Sequence, residues 1–316
     1  MSRSTTATLL PGSTRQRAGV ELSMPSRRRL TRGVLGIAAV GVAGSLTSCG
    51  LAGGEDRTIT MIVTESGPFQ GPTEIVQDLL EEDGWTLETT YVTDIIQPNQ
   101  AVSQGEYDVN YFQHLAYLKQ FNDDNDLAID PLFSVFQAPA GLYSEQHDSL
   151  ADLPDGAQIA LPVDTANNGR GLKMLHDEGL LEVDESAEIT ELSQADIESN
   201  PHDFEFIEVD QQSLAQTLPD VDAGFSFTRL IAESTLDVDA EDPLIIEDDA
   251  EAQLPFTVVI AAAEDFEEQE PEKAEALREA YQSPEVQEWF DSYIGGLKNT
   301  AFDIDIDEVW EDFNAS

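Results

Sequence analysis

The stretch "AQIALPVDTANNGRGLKMLHDEG", residues 157–179, decides the fold class. Its first seven residues form a compact apolar run that is typical of a buried strand. The remainder, from Thr165 onward, has the pattern of a helix that stops near Gly179. A strand that leads directly into a helix is the repeating unit of α/β proteins, so this stretch predicts an α/β fold.

The same alternation continues on both sides of the stretch. Strand-like runs occupy residues 58–66, 86–93, 204–209 and 256–264, and helix-like runs occupy residues 73–84 and 271–282. Alternating strands and helices predict a protein with mostly parallel sheets.

The middle section of the chain has the elements of a complete α/β unit of its own. We therefore predict two lobes joined by two crossover segments, with lobe 1 formed by residues 57–141 plus 226–316 and lobe 2 by residues 142–225. In such architectures ligands bind at the carboxyl ends of strands, so a ligand cleft is expected between the lobes.

The chain is strongly acidic, with 63 acidic and 15 basic residues among 316 and a formal net charge of −48. A surface of this charge repels polyanions, which excludes nucleic acid as a partner. The single cysteine excludes an intramolecular disulfide.

That cysteine, Cys49, follows a segment with the features of a secretory signal. Four arginines within residues 27–32 precede an uncharged run over residues 33–47, which is too short to span a membrane comfortably. The sequence from Leu46 to Cys49 resembles the lipobox of bacterial lipoproteins. We predict a signal peptide over residues 1–48 (with Met24 as a possible start), lipid attachment at Cys49 and a tether over residues 49–56. The alternative is a buried N-terminal helix with an incidental cysteine.

Arg170 is a rare cation in this acidic chain, at the beginning of the predicted helix. An arginine fork pairs bidentately with a carboxylate, and the N–H groups at a helix start favour the same anion. Asn167 can donate or accept a hydrogen bond beside it, and Gly169 would let a ligand approach the backbone closely. The alternative is a surface arginine that neutralises Asp164.

Two segments carry a resemblance to a known family: "PNQAVSQGEYDVNYFQHLAYL" (98–118) and "SLADLPDGAQIALPVDTANNGRGLKMLHDEGLL" (149–181). They resemble the methionine-binding lipoproteins, the MetQ/NlpA substrate-binding proteins of ABC importers, and the similarity runs from about residue 58 to about residue 290. The resemblance implies a two-lobed periplasmic-binding-protein-like fold. It also implies that Asn167 and Arg170 hold the polar end of an amino acid, and that Phe112, His114 and Tyr117 surround a methionine side chain. Without the resemblance, these three residues would be interpreted as core aromatics and a loop histidine.

Four positions depart from the family pattern. Ile95 and Ala138 stand where tyrosines are expected, and Val163 and Phe227 stand where asparagines are expected, although a shift of one residue would offer Ser226. A missing asparagine leaves fewer partners for the ligand's ammonium group, and an unpaired buried charge is costly. The ligand is therefore methionine or a different compound placed in the same site.

Other chemistries have no support in the sequence. The four histidines, at positions 114, 147, 176 and 202, have no zinc-ligand spacing. The segment "DIDIDE" (303–308) lacks the glycine and the closing glutamate of a calcium loop, which favours a solvated acidic tail. We expect no metal, no cofactor and no enzymatic activity.

These observations predict a lipid-anchored protein on the outer face of the cytoplasmic membrane. The resemblance implies that it binds a free amino acid, with methionine as the first candidate, by hinge closure and delivers it to an ABC permease driven by an ATPase. The alternatives are the same role with another amino acid or a small organic anion, and an exported enzyme that reuses the fold.

Overall fold

A computed structural model describes residues 57–247, 250–293 and 299–315. The predicted signal peptide (1–48), the predicted lipid attachment at Cys49 and the predicted tether (49–56) lie outside these residues.

The strands of the described part alternate with its helices. They are β1 (Thr58–Thr64), β2 (Thr86–Val92), β3 (Val109–His114), β4 (Ile129–Gln137), β5 (Ala140–Tyr143), β6 (Gln158–Pro162), β7 (Glu182–Val183), β8 (Ile197–Ser199), β9 (Glu205–Val209), β10 (Ala223–Phe227), β11 (Ile245–Ile246), β12 (Thr257–Ala263) and β13 (Asn299–Thr300).

The helices of the same part range from a single turn to 16 residues. They are α1 (Gly67–Glu82), α2 (Gln97–Ser103), α3 (Leu115–Asn125), α4 (Thr165–Asp177), α5 (Leu214–Thr217), α6 (Thr228–Glu233), α7 (Phe266–Gln269), α8 (Pro271–Tyr281), α9 (Pro284–Ser292) and α10 (Ile306–Ala315). Among the residues described, none of these helices combines the length and the apolar character that crossing a bilayer requires.

The strands form two main sheets and a small two-stranded one, β7–β8. Sheet 1 has the order β13-β4-β12-β3-β1-β2, and sheet 2 has the order β11-β5-β10-β6-β9. The chain passes from sheet 1 to sheet 2 between β4 and β5 and returns between β11 and β12. The division into lobes at residues 142 and 225 remains a prediction, and the strands of sheet 2 come from residues 140–246.

Both sheets are mixed, so the expectation of mostly parallel sheets is wrong. In sheet 1, β1 pairs in parallel with β2 and β3, whereas β12 pairs antiparallel with β3 and β4. In sheet 2, β6 pairs in parallel with β9 and β10, whereas β5 pairs antiparallel with β10 and β11. Every antiparallel pair of the two main sheets includes a strand next to a crossing, namely β4, β5, β11 or β12.

Sheet 1 is covered on both faces, and β12 shows this in its sequence. Val258 and Ile260 belong to the core shared with α1, α8 and α9, while Val259 and Ala261 belong to the core shared with α3 and α10. A strand that is buried on both faces is a continuous apolar run, as "TVVIAAA" is.

The segment 303–308 was expected to be a solvated acidic tail, but it leads into helix α10, which packs on the core. Its first residue, Ile306, is buried, and Trp310 and Phe313 pack against the same core. The indole N–H of Trp310 donates to Asp130 Oδ1 at 3.1 Å. The acidic residues dominate the composition of this segment, but its few apolar residues are spaced to lie on one face of a helix.

The strand β6 and the helix α4, which carry the opening stretch, pack closely through glycine. A Cβ atom on Gly169 would lie 2.7 Å from the carbonyl oxygen of Ile189, and one on Gly171 would lie 2.6 Å from Leu161 Cδ2. Gly169 therefore permits the approach of another part of this chain, and not of a ligand as the sequence suggested. Asp164 caps α4 by accepting the backbone N–H of Asn167 at 3.0 Å.

Candidate functional site

The candidate site lies where the end of β3 meets the beginning of α4. His114 is the last residue of β3 and also caps α3, because its Nδ1 accepts the backbone N–H of Tyr117 at 3.1 Å. Asn167 is in the first turn of α4, which follows β6 of sheet 2. His114 thus forms the carboxyl end of a strand of sheet 1, and Asn167 lies just after the carboxyl end of a strand of sheet 2, where ligand-binding residues of α/β proteins are commonly found.

Four of the five predicted ligand-binding residues line one cavity of about 20 Å³. Its walls are Phe112, His114, Tyr117 and Asn167, together with Ile95, Gln113 and Gln211. The rings of Phe112 and Tyr117 pack edge to face, with their centroids 5.9 Å apart. The cavity combines an aromatic wall with amide and imidazole groups, which is the composition expected for a small amphipathic ligand.

A hydrogen-bond chain fixes the polar side of this cavity. His114 Nε2 lies 3.0 Å from Asn167 Oδ1, and Asn167 Nδ2 lies 2.8 Å from Asp164 Oδ1. Because His114 Nδ1 already accepts a backbone N–H, its Nε2 carries the proton and donates to Asn167. That donation sets the orientation of the Asn167 amide, whose Nδ2 then donates to the carboxylate of Asp164.

Burial shifts the protonation equilibria of these groups. It lowers the pKa of His114 to about 3, and the positive charge of Arg170 lowers it further in the same direction. Burial also raises the pKa of Asp164, partly offset by the hydrogen bonds that its carboxylate accepts from Asn167. The pKa of Tyr117 is raised, first by burial and then by the negative charge of Asp164. At neutral pH the imidazole of His114 is uncharged. The charges of Arg170 and Asp164 each shift the pKa of a residue that lines the cavity.

Arg170, the fifth predicted residue, is 1% exposed and lies beside this group. Its Nε donates to Glu247 Oε1 at 2.6 Å, and its Nη2 donates both to Glu247 Oε2 and to the carbonyl oxygen of Ala138, the latter at 2.8 Å. Its guanidinium stacks on Phe256, with Cζ 3.9 Å from the ring centroid. The ring of Phe256 also packs edge to face on His114, at 5.3 Å between centroids, so it links the two residues.

Arg170 itself lines a second and larger cavity of about 310 Å³. Its walls come from α4, from the return crossing and from β11, with Met174, Ile245 and Pro255 among the apolar residues. The other predicted residues do not line it. We take the smaller cavity as the candidate site because side chains that follow strands of both sheets meet there, whereas β3 and α3 contribute nothing to the larger one.

Two neighbouring amide side chains, Asn99 of α2 and Asn110 of β3, hold Gln113 in place. Gln113 Nε2 donates to Asn99 Oδ1 at 2.7 Å and to Asn110 Oδ1 at 3.0 Å, and Asn99 Nδ2 donates back to Gln113 Oε1 at 2.8 Å. All three side chains are buried. A network of this kind gives the cavity wall a defined orientation of donors and acceptors.

The four positions that depart from the family pattern have different surroundings. Ile95 lines the cavity, and its carbonyl oxygen accepts from the Tyr117 hydroxyl at 3.1 Å. Ala138 is buried in the core of sheet 1, and its carbonyl oxygen accepts a hydrogen bond from Arg170. Val163 is 55% exposed, and Phe227 is buried 5.3 Å from the guanidinium of Arg229. Ser226, the alternative to Phe227, is fully buried within β10.

Several residues in and around the site were not predicted from the sequence. Gln113 lies between Phe112 and His114, which the sequence motif predicted as site residues, so the same motif could have identified it. Gln211, at the start of a short 3-10 turn, and Glu247, just after β11, come from distant segments of the chain. Nothing in the local sequence distinguishes Glu247 from the acidic residues around it. Asp164 was considered only as a neutralising partner for Arg170, whereas the partner of Arg170 is Glu247.

Metal binding has no structural support in the part of the chain that is described. There, no three histidine, cysteine or carboxylate side chains are grouped so that they could hold an ion.

Comparison with known proteins identifies relatives along most of the chain. The family described as NlpA lipoprotein matches residues 61–302. The methionine-binding lipoprotein MetQ of Bacillus subtilis (strain 168) is 30% identical over 268 residues, which cover 83% of this chain and 96% of that protein. The D-methionine-binding lipoprotein MetQ of Escherichia coli (strain K12) is 29% identical over 263 residues, which cover 82% and 95%.

Solved structures extend the likeness to the fold. A nutrient-binding protein from Burkholderia cenocepacia, solved with bound methionine, superposes with a TM-score of 0.71 at 28% identity and covers 77% of this chain and all of that one. A protein from Staphylococcus aureus gives a TM-score of 0.73 at 26% identity, over 81% and 99% of the two chains. The predicted periplasmic-binding-protein-like fold is confirmed.

Proposed function

The chain belongs to the NlpA lipoprotein family, and we propose that it is the substrate-binding protein of an ABC importer that binds a free amino acid, with methionine as the first candidate. The observation that carries the proposal is the hydrogen bond between His114 and Asn167, at 3.0 Å. It joins residues that follow strands of the two sheets, and it does so in the wall of one cavity.

The lining of this cavity supports methionine. Phe112, Tyr117 and Ile95 provide an apolar wall, and a thioether sulfur makes favourable contacts with the edges of aromatic rings. His114, Gln113 and Asn167 provide polar groups for the backbone end of an amino acid. Relatives named for methionine or D-methionine binding, and a structure solved with methionine, support the same ligand.

The size of the cavity supports a hinge. A volume of about 20 Å³ accommodates about one water molecule, which is far less than an amino acid requires. We infer that the lobes, residues 57–141 plus 226–316 and residues 142–225, separate to admit the ligand and close on it. Closure would bring His114 and Asn167 together around the ligand.

Arg170 is proposed to bind the ligand's carboxylate. Its Nη1 is buried and has no hydrogen-bond partner among the described residues. A carboxylate placed at this atom would satisfy the remaining donor of a guanidinium whose other donors bind Glu247 and Ala138.

A second candidate is a different amino acid or a small organic anion in the same site. This alternative is supported by Ile95, which lines the cavity where the family pattern has a tyrosine hydroxyl. It is also supported by Phe227, a buried ring in place of an asparagine. Both replacements remove hydrogen-bonding groups that a methionine site of the usual composition would offer.

We propose a transport role without catalysis. Both ring nitrogens of His114 are engaged in hydrogen bonds and its pKa is about 3, so it is poorly suited to take up a proton from a substrate. The protein would be exported, anchored through a lipid on Cys49 to the outer face of the cytoplasmic membrane, and would deliver its ligand to a permease driven by an ATPase.

A thermal-shift screen tests the choice of ligand. The purified protein is heated with each of the common amino acids, with D-methionine and with a set of small organic anions, each at millimolar concentration. A ligand that binds only the folded state raises the melting temperature. Methionine should give the largest rise; a larger rise with another compound would favour the second candidate, and no rise with any compound would contradict the proposed binding role.

A further inference from the structure

The helix α6 lies between β10 and β11, two strands of sheet 2, yet its side chains contact helices that pack on sheet 1. Glu233, the last residue of α6, accepts the backbone N–H of Gly67 at 3.0 Å and the hydroxyl of Ser66 at 3.2 Å, both at the start of α1. It also accepts the hydroxyl of Tyr293, at the end of α9, at 2.8 Å. One carboxylate of α6 therefore binds three donors that belong to sheet 1 and its helices.

The position of Glu233 suits the electrostatics of α1. The N–H groups at the start of a helix favour a negative charge. All residues of α1 are described, and its first turn contains no acidic side chain and no capping bond from the side chain of Ser66. Gly67 permits the close approach of the carboxylate, because a Cβ atom there would lie 2.9 Å from Glu233 Oε1. Glu233 thus supplies from α6 the negative charge that α1 does not have in its own first turn.

Arg229 makes a second connection from the same helix. It is buried, and its Nη1 donates to Ser66 Oγ at 2.9 Å. Its Cζ lies 5.6 Å from the ring centroid of Phe69, in the core of sheet 1, and 5.3 Å from that of Phe227, in the core of sheet 2. Burial lowers the pKa of Arg229, and the negative charge of Glu233 opposes this shift. Groups from both sheets therefore stabilise this cation.

Two further contacts join the elements of the two sheets at the candidate site. His114 bonds to Asn167 at 3.0 Å, and the side chain of Gln120 on α3 accepts the backbone N–H of Ala166 on α4 at 3.0 Å. Helix α3 follows β3 of sheet 1, and α4 follows β6 of sheet 2. A separation of the sheets that admits a ligand would break these contacts and those of α6 together.

We propose that Arg229 and Glu233 form a latch that holds the two sheets closed around a bound ligand and so slows its release. They are positioning residues, because they act on the ligand through the closed arrangement and are not among the residues that line the cavity. The proposal assigns α6 to the part of the chain that moves with sheet 2, beyond the predicted lobe boundary at residue 225. It rests on the proposed function.

The first test measures how fast bound methionine leaves the protein. The purified protein is loaded with radiolabelled methionine, and the bound label is followed after addition of excess unlabelled methionine. Glu233→Ala removes the acceptor of all three donors, so it should release the label about tenfold faster than wild type, or more. Tyr293→Phe removes one donor and keeps the ring that stacks on Trp289, and it should release the label about threefold faster.

Asp237→Ala supplies the matched control. Asp237 follows α6 and is exposed, so this variant removes the same charge from the same region without touching the latch. Its release of methionine should stay within about twofold of wild type, because solvent screens an exposed charge. Glu233→Gln retains an acceptor for the N–H of Gly67 and the hydroxyl of Tyr293, and it should recover part of the slow release.

The second test needs no ligand. The backbone amide of Ala166 is bonded to Gln120 only while α3 and α4 are together, so its hydrogen exchange reports the separation of the sheets at the cavity. Mass spectrometry with residue-resolving fragmentation measures this exchange in ligand-free protein. Glu233→Ala should raise the exchange rate at Ala166 about tenfold or more, and Asp237→Ala should leave it within about twofold. A variant that only weakened α6 locally would leave the rate at Ala166 unchanged.

The two tests separate the latch from the proposed function. An unchanged exchange rate at Ala166 in Glu233→Ala, or an equal rise in Asp237→Ala, overturns the latch whether or not methionine binds. Equal release of methionine by wild type and Glu233→Ala also overturns it, and the binding function then stands. If wild type retains no methionine, the choice of methionine fails, and the exchange at Ala166 still decides the latch.

Discussion

Both carboxylate oxygens of Glu247 accept hydrogen bonds from the guanidinium of Arg170: Oε1 accepts from Nε at 2.6 Å, and Oε2 accepts from Nη2. The two residues are 77 positions apart, and the pair forms where the chain leaves β11 to return to sheet 1. The Arg170 side chain is 1% exposed and that of Glu247 is 14% exposed, so the buried guanidinium has a counter-charge from its own chain before any ligand arrives. The sequence predicted that Arg170 binds the carboxylate of a ligand, whereas its Nε and Nη2 already bind the carboxylate of Glu247.

Removal of Glu247 should destabilise the fold. Glu247→Gln leaves a buried guanidinium without its counter-charge, which typically costs about 3–5 kcal/mol. We expect the free energy of unfolding, measured by urea denaturation at pH 7, to fall by about 3 kcal/mol or more.

Asp177→Asn is the control for that measurement, because it removes a carboxylate from an ion pair with Lys173 whose two side chains are 47% and 56% exposed. Exposed pairs contribute about 0–1 kcal/mol. Equal losses in the two variants would show that the pair of Arg170 and Glu247 is no stronger than a surface pair.

Arg170→Ala should weaken methionine binding by about 2–5 kcal/mol, the usual effect of removing one partner from a buried charged contact. Because this variant also leaves Glu247 unpaired, we expect it to be less stable than wild type. The double variant Arg170→Ala/Glu247→Ala removes both charges and should recover part of that stability without recovering binding. Affinity equal to that of wild type in either variant would exclude Arg170 from the ligand site.

The burial of His114 predicts a specific dependence of stability on pH. Its pKa falls from 6.5 to about 3 in the folded protein, so protons bind the unfolded chain more readily. The contribution of neutral His114 to the free energy of unfolding is complete above pH 6.5. It is lost as the pH falls towards 3, by up to about 1.4 kcal/mol per pH unit. Between pH 7 and pH 5 this amounts to about 2 kcal/mol.

The variant His114→Asn isolates this contribution, because asparagine can still accept the N–H of Tyr117 but does not titrate. Urea denaturation of both proteins at pH 7 and pH 5 gives the difference. Asp164, whose pKa burial raises, has the opposite pH dependence, but it is present in both proteins and cancels. Wild type should lose about 2 kcal/mol more than the variant; identical pH dependence would mean that His114 is not buried as a neutral group.

Cys49→Ser should release the protein from the membrane, because the predicted lipid is attached to that sulfur. Cell fractionation followed by immunoblotting measures the retained share for wild type and variant. Retention of the variant in the membrane fraction to the same extent as wild type would refute the anchor.

Much of the fold was accessible from the sequence because its signals are local. The apolar run before Thr165 and the glycine near the end of α4 predicted the strand and the helix correctly. Helix α1 was expected from residue 73 but begins at Gly67, because proline is tolerated in a first turn and Pro68 lies there. The directions of the strands at the crossings depend on pairings between distant segments, and local patterns do not contain them.

Part of the candidate site could also be predicted from the sequence. The motif around His114 and the asparagine of the opening stretch brought together residues that do line one cavity. The environment of Arg170 was not accessible, because Glu247 and Phe256 reach it from a distant crossing segment. Which buried charges pair with each other depends on which segments of the chain meet in the fold, and the composition alone does not determine this.

The most direct test of the proposed amino-acid site is a calorimetric titration of methionine into wild type, Asn167→Ala and Asn168→Ala. Asn167 lines the cavity, whereas its neighbour Asn168 donates to the carbonyl oxygen of Pro162 at 2.8 Å and does not line it. We expect one saturable site in wild type, similar affinity in Asn168→Ala, and a loss of about tenfold or more in Asn167→Ala. No binding heat in wild type at millimolar methionine, or equal affinity in all three proteins, would contradict it.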